Sequence, residues 1–343
     1  MLQIKNHNFN VDLYFQNICI DEIFSKSTKK NAKNKNKTIE KIYSKNWLDD
    51  KEKNLENIYQ TLIQKDKDFK AVFENIKLKA LITSNPNELK NIVEQVEKNI
   101  KRINNPTKIS DLKNTIKDIF KYDGKFQPKV ASFFEEHLNP RTCYYCDIDY
   151  INVYEQQEKN KKDFRNKFTL DHFIDKGDYP YLALSLFNLV PSCYVCNSKI
   201  KNSVKFYTNE KLKHTNPFLE TFNFHEKVKF KLFLDNSCKN LYIKSKENID
   251  IPLKENYTNQ YDKYIEIFKL NERYKVHKDI VFEMIQKAEL YPESRLRELQ
   301  DLTGIPFQQI KKDIFNLIDE NEDLSKQPFS KLIKDISEEL QLI

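Results

Sequence analysis

Four cysteines of this chain fall into two Cys-x-x-Cys pairs, Cys143/Cys146 and Cys193/Cys196. Each spacing turns two thiolates to one edge of a tight knuckle, and two knuckles together complete a tetrahedral S4 site suited to Zn²⁺. Six cysteines in 343 residues are too few for a disulfide scaffold. Cys19 and Cys238 stand alone and are expected to be small buried side chains. A redox role for the pairs is the alternative, and the presence of two of them argues against it. A zinc ion with four thiolates has no open position, so its role is structural.

A second set of residues offers different chemistry. Asp171-His172 ends an apolar strand-like run, Phe168–Leu170, and Asn197 directly follows the second knuckle at the expected start of a helix. Asp171 and Asn197 supply hard oxygen ligands suited to Mg²⁺ or Mn²⁺, which keep several waters and favour phosphate oxygens. His172 can take a proton from an attacking water near neutral pH. A metal and a base so placed can hydrolyse a phosphodiester. Each residue alone is weak evidence, since an Asp-His pair is commonly a structural hydrogen bond.

The order Asp171-His172, Asn188-Leu189, then Cys193-x-x-Cys196-Asn197 with Lys199 and Lys201 following resembles the HNH endonuclease family. The likeness covers about 143–202. Within that family, Leu170–Phe173, Tyr179–Ser185 and Asn188–Cys193 look like the HNH subunits of Septu-type and retron-associated bacterial anti-phage systems, which pair a nuclease with an ATPase. The resemblance implies a ββα-metal core with His172 as general base and Asp171 and Asn197 on the catalytic divalent metal. It further implies that Asn188 braces the histidine-bearing loop through backbone hydrogen bonds and that the four cysteines hold zinc. Lys199 and Lys201 would face phosphates, with Arg165 and Lys176 as further nucleic-acid contacts. Asn197 stands where the family name expects His, and its amide oxygen remains a sound Mg²⁺ ligand.

These residues need elements to position them. Residues 1–138 read as mostly helical: Leu55, Ile58, Tyr59, Leu62 and Ile63 form an i, i+3, i+4 stripe, and Leu89, Ile92, Val93, Val96 and Ile100 form another. Helices are also expected over Ile109–Phe120 and Lys129–Glu136, with no catalytic spacing anywhere in this half. Across 139–210, strand-like runs at Ile148–Tyr154, Lys167–Phe173 and Leu189–Val190 lie between the knuckles, with a basic connector from Lys159 to Lys167. A hairpin is expected from Val228–Leu234 and Leu241–Ile243, and 211–343 is otherwise helical with an acidic end. Tyr144, Tyr145 and Tyr194 are expected to pack the small core. The fold class is therefore α+β: a zinc-stapled ββα core between helical flanks.

Composition narrows the function further. Only 3 Gly occur, which excludes a Gly-rich phosphate loop. No apolar run is long enough for a membrane span, and the first residues lack the apolar stretch of a signal peptide, so a cytoplasmic protein is expected. Net charge is +7, and 26–45, with eight Lys and one Glu, supplies all of it. That arm reads equally as a phosphate contact or a solvated loop. The expected activity is metal-dependent cleavage of DNA, with RNA left open. A non-catalytic nucleic-acid-binding module and a subunit docking an ATPase are the rivals. One such core cuts one strand, so double-strand breaks call for a homodimer or two nicks.

Overall fold

The computed structural model describes residues 2–5, 9–20, 54–122, 126–158, 161–166, 168–235, 243, 245–319 and 322–343. The basic arm 26–45 and Cys238 lie outside the described residues, and Arg165 is described in its backbone alone. The architecture is mixed α+β, with small two-stranded antiparallel sheets set among helices.

The N-terminal half is built from short amphipathic helices. After α1 (Val11–Phe15) come α2 (Leu55–Lys65), α3 (Lys67–Phe73), α4 (Leu78–Thr83), α5 (Pro86–Lys101), α6 (Pro106–Ile119) and α7 (Phe126–Leu138). Their starts are written locally. Asn54, Asp66, Asn85 and Asn105 each accept a backbone N–H of the first turn, and α5 and α6 have Pro at the first position. Asn85 and Glu88 complete a reciprocal capping box. The apolar stripes face inward: Leu55, Ile58, Tyr59 and Leu62 of α2, and Leu89, Val93, Val96 and Ile100 of α5, are buried. Phe9, Phe133, Phe134, Phe187 and Phe218 meet in an aromatic cluster that packs α7 against the middle of the chain.

In the middle, β1 (Val153–Glu158) and β2 (Lys161–Asn166) pair antiparallel. Most of the stretch expected as a basic connector is thus a strand, whose backbone pairs residue by residue with 153–158. Strand β3 (Thr169–His172) pairs antiparallel with β4 (Leu189–Ser192), matching Asp171 with Val190 and His172 with Leu189. A short helix, Val195–Lys201, follows β4 and widens to an i→i+5 bond from the Asn202 N–H to the Asn197 carbonyl, 2.9 Å.

Of the expected hairpin, the arm Leu241–Ile243 lies outside the described residues except for Ile243, and the described pairings of the first arm are longer-range. β5 (Val228–Phe230) pairs with β8 (Leu253–Glu255), and β6 (Phe233–Leu234) with β7 (Ile249–Asp250). Leu253 and Ile249 are buried and supply the apolar partner residues. After α8 (Phe224–Lys227), the C-terminal part comprises α9 (Asp262–Ile267), α10 (Leu270–Lys275), α11 (Lys278–Leu290), α12 (Glu293–Thr303), α13 (Phe307–Phe315) and α14 (Ser330–Glu339). Among the described residues, no helix is long and apolar enough to cross a membrane.

Both ends of the chain close on the first knuckle. Leu2 N–H donates to the Tyr144 carbonyl, 3.0 Å, while Tyr274 Oη donates to the Cys146 carbonyl, 2.7 Å. Phe329 N–H and Lys331 N–H donate to the carbonyl and the carboxylate of Asp147, 2.7 and 2.9 Å. Asp147 is wholly buried, and burial pushes its carboxyl up to about 8, against the Lys331 amide and other contacts that lower it.

Candidate metal centre and polar site

The four knuckle cysteines are buried and free of disulfides, and their Sγ atoms all lie within 4.8 Å of one another. This cluster can hold a structural metal such as zinc. The donor set fits: four soft sulfurs and N–H···S contacts of the kind a knuckle makes, from Ile148 to Cys146 (3.5 Å) and from Cys196 to Cys193 (3.4 Å), with the Asp149 carboxylate alongside at 3.7 Å from Cys146 Sγ. Four thiolates around a divalent ion leave excess negative charge. Arg273 of α10 answers it, placing one guanidinium nitrogen 3.2 Å from Cys196 Sγ and another 3.2 Å from Asp149 Oδ2. Burial opposes a thiolate at Cys146, but hydrogen bonds from the other three cysteines and the Arg273 charge outweigh it, so this thiol falls well below its usual range.

The second site lies where β3 ends. His172 is 8% exposed. Its Nε2 is 2.9 Å from the Ala183 carbonyl oxygen. A carbonyl only accepts, so Nε2 carries the hydrogen and Nδ1 keeps the lone pair. Tyr122 packs edge-on against the imidazole, with centroids 5.0 Å apart. Burial lowers the His172 pKa to about 4; the Lys176 and Lys201 charges act in the same direction, while the Ala183 carbonyl and Asp171 oppose it. The imidazole is neutral at physiological pH.

Asn188 is fully buried at the foot of the loop between β3 and β4. Its Oδ1 accepts the Ile174 N–H (2.6 Å), and its Nδ2 donates to the carbonyls of Ile174 (3.0 Å) and Leu182 (3.1 Å). One amide therefore closes a loop of which Ala183 is a member. Leu182 directly precedes the carbonyl that fixes the histidine, so the clamp and the tautomer are mechanically linked.

Asp171, expected as a metal ligand, has close partners of its own. Its Oδ1 accepts from Lys201 Nζ (2.9 Å) and its Oδ2 from Tyr145 Oη (2.5 Å). Burial raises the Tyr145 phenol well above its usual range, with Asp171 adding to the rise, so it stays a donor. Each carboxylate oxygen retains a lone pair beyond these bonds. Asn197 is half-buried and donates from Nδ2 to Thr169 Oγ1 (2.9 Å), which leaves its Oδ1 as the free hard donor.

The expected phosphate-facing lysines divide. Lys199 is exposed, with its ammonium 5.7 Å from the centre of the Tyr194 ring. Lys201 is a correction: it is 4% exposed, and besides Asp171 it donates to the His172 carbonyl (3.2 Å) and lies over the Phe206 ring. The helix turns this position inward, where the carboxylate holds the ammonium away from any substrate. Lys176 is half-exposed and lies over Tyr122, 5.2 Å from the ring centre. Tyr194 is a second correction, since it is 58% exposed while Tyr144 and Tyr145 are buried. It occupies the outer edge of its knuckle.

Sequence reasoning missed Arg273, Tyr122, the Ala183 carbonyl and the bonding role of Tyr145. Arg273 alone carried a signal, as one of few arginines in a chain that otherwise uses Lys. No protein-family model, curated protein or solved structure matches the chain.

Proposed function

We propose that this protein is a metal-dependent endonuclease of the HNH type, hydrolysing phosphodiester bonds of DNA, with His172 as the general base. The observation that carries this reading is the state of His172. Its Nε2–H is committed to the Ala183 carbonyl, and its imidazole is neutral. Nδ1 is thereby left as the proton acceptor at the end of a two-stranded sheet that a helix bearing Asn197 follows.

A pKa near 4 keeps the base unprotonated but makes it weak in isolation. A phosphate anion drawn beside it stabilises the imidazolium and raises that value, so proton affinity grows when substrate arrives. Asn188 holds the loop so that the imidazole does not rotate. Asp171 and Asn197 are the residues that would hold a Mg²⁺ or Mn²⁺ ion, through the remaining Asp171 lone pairs and the free Asn197 Oδ1. Such an ion, when bound, would neutralise charge building on the phosphate and the leaving oxygen. Zinc in the cysteine cluster fastens the Asn197 helix to the first knuckle and takes no part in the chemistry.

The test is supercoiled-plasmid cleavage by purified protein in Mg²⁺ or Mn²⁺, beside His172→Ala and an EDTA control. Nicking lost in both controls is the expected result. Undiminished nicking by His172→Ala would sink the assignment of the base.

A further inference from the structure

Helix α6 carries no catalytic spacing, yet it lies against the loop that follows His172. It packs against the turn Pro180–Leu182, immediately before Ala183. Its exposed face carries Lys113 and Lys117, and Lys121 continues the same i, i+4 line just beyond its end. None of the three has an ion-pair partner among the described residues. Like charges at this spacing destabilise a helix slightly, so the stripe is not explained by helix stability.

Lys113 and Lys117 also line a cleft of about 360 Å³ between α6 and the loop that follows His172. Ser110 and Asn114 line the same side, with Gly177 and Pro180 opposite, and no described acidic residue lines it. Hydroxyl, amide and ammonium donors without a competing carboxylate suit phosphate oxygens. The cleft and the polar site share the loop that follows His172, which supplies Gly177 and Pro180 to the cleft. Beyond the cleft the chain runs from Lys121 into Tyr122, which packs on the His172 imidazole, and Lys176 lies over that same Tyr122 ring. Next to Gly177 in the chain, Asp175 does not line the cleft; its Oδ1 accepts the Gly177 and Asp178 N–H groups, at 2.9 and 3.0 Å.

We infer that the α6 face is a nucleic-acid backbone track, in which Lys113, Lys117 and Lys121 contact successive phosphates of a strand leading to His172. The inference rests on the phosphodiesterase reading and names the surface that delivers its substrate. At about 1.5 Å per helical residue the three lysines span roughly 12 Å. A strand rising about 3.4 Å per nucleotide places three or four phosphates over that length. Contacts to phosphates alone carry no base preference, so single-stranded DNA, duplex DNA and RNA should all use the track.

The experiment is fluorescence anisotropy with labelled 20-nucleotide single-stranded DNA, duplex DNA and RNA of one sequence, without added divalent metal, across about 50–200 mM salt. Lys113→Gln/Lys117→Gln/Lys121→Gln is compared with wild type and with Lys275→Gln/Lys287→Gln/Lys311→Gln, which removes the same charge elsewhere. The α6 triple variant should bind about tenfold more weakly or worse, and its slope of log K against log salt should be shallower by about 2–3. Lys117→Gln alone should remove about 1 from that slope, which keeps the test valid should the triple variant fold poorly. The control triple should keep the wild-type slope.

An unchanged slope in the α6 variants overturns the track, as does an equal loss in the control triple. Plasmid nicking is read in parallel. Wild type that nicks while the α6 slope is unchanged overturns the track alone. Wild type that binds with the expected slope difference but never nicks upholds the track and overturns the nuclease reading. Wild type that neither binds nor nicks overturns both.

Discussion

Asn188 gives the sharpest test of how the loop holds the histidine. The side chain is fully buried and makes three hydrogen bonds, one accepted and two donated. Asn188→Ala removes all three and leaves the Ile174 amide and carbonyl without partners, while the Leu182 carbonyl keeps the Ser185 N–H at 3.2 Å. At about 1 kcal/mol per net bond, and more for a buried group left unpaired, the loss should be about 3–5 kcal/mol. An unfolding entropy near 2 cal/mol/K per residue turns that into roughly 5 °C of Tm for a chain of this length. Asn188→Asp separates the hydrogen-bond account from a packing account, because it keeps the shape and the acceptor for Ile174. In place of Nδ2 it sets a second oxygen against the Ile174 and Leu182 carbonyls. Protonated, that oxygen can donate to one carbonyl; ionised, it repels both. The folded-state pKa of the new carboxyl is therefore raised above about 3.9, its unfolded value. A raised carboxyl binds a proton in the folded state that the unfolded state has released. The variant's stability relative to wild type should thus fall as pH rises from about 4, by about 1.4 kcal/mol per unit until the folded pKa is passed. Thermal melting of wild type and both variants at pH 5 and pH 8 reads this directly. Equal destabilisation of Asn188→Asp at the two pH values, or an Asn188→Ala that melts with wild type, would refute the clamp.

Three further outcomes follow from the geometry. With a folded pKa of about 4 against 6.5 unfolded, His172 takes its proton first in the unfolded chain. It should therefore lower stability as pH falls from about 6.5 to about 4, by about 3 kcal/mol in all. An NMR titration of its imidazole with a midpoint near 6 or above would overturn the buried neutral state. Cys193→Ser should lose the metal and melt far below wild type, since a structural zinc site contributes about 10 kcal/mol or more to folding. Elemental analysis finding no zinc in the wild type would remove the premise. Arg273→Leu should release zinc to a chromogenic chelator about 10–100-fold faster, and Arg273→Lys should restore only part of the difference because an ammonium cannot fork between Cys196 and Asp149. Release at the wild-type rate in Arg273→Leu would show that the guanidinium does not stabilise the cluster.

What the sequence determined by itself was local. A knuckle is defined by two cysteines three apart, and a cap by one side chain reaching an amide two or three residues on. The helices beginning after Asn54 and Asn85 and the four-cysteine cluster were therefore legible, while the helix expected from Ile109 begins at Pro106, after its Asn105 cap. So was the place of Asp171-His172 at the end of a short strand, because an apolar run that stops at two polar residues is visible without a distant partner. Tertiary structure decided which groups meet. The strand β2 was misread because its pairing depends on 153–158, and the pairing of β5 with Leu253–Glu255 was not legible because that partner lies far along the chain. The tautomer of His172 depends on a carbonyl eleven residues away, and the fate of Lys201 on a carboxylate thirty residues away. Arg273 reaches Cys196 from seventy-seven residues away. Any lysine on a sequence reads as a surface charge. Only burial beside Asp171 turns Lys201 into an internal counter-ion, and only the cleft against the loop that follows His172 distinguishes Lys113 and Lys117 from the many others. Buried hydrogen bonds and ion pairs form where desolvation leaves no alternative partner, and that is settled by how the elements pack.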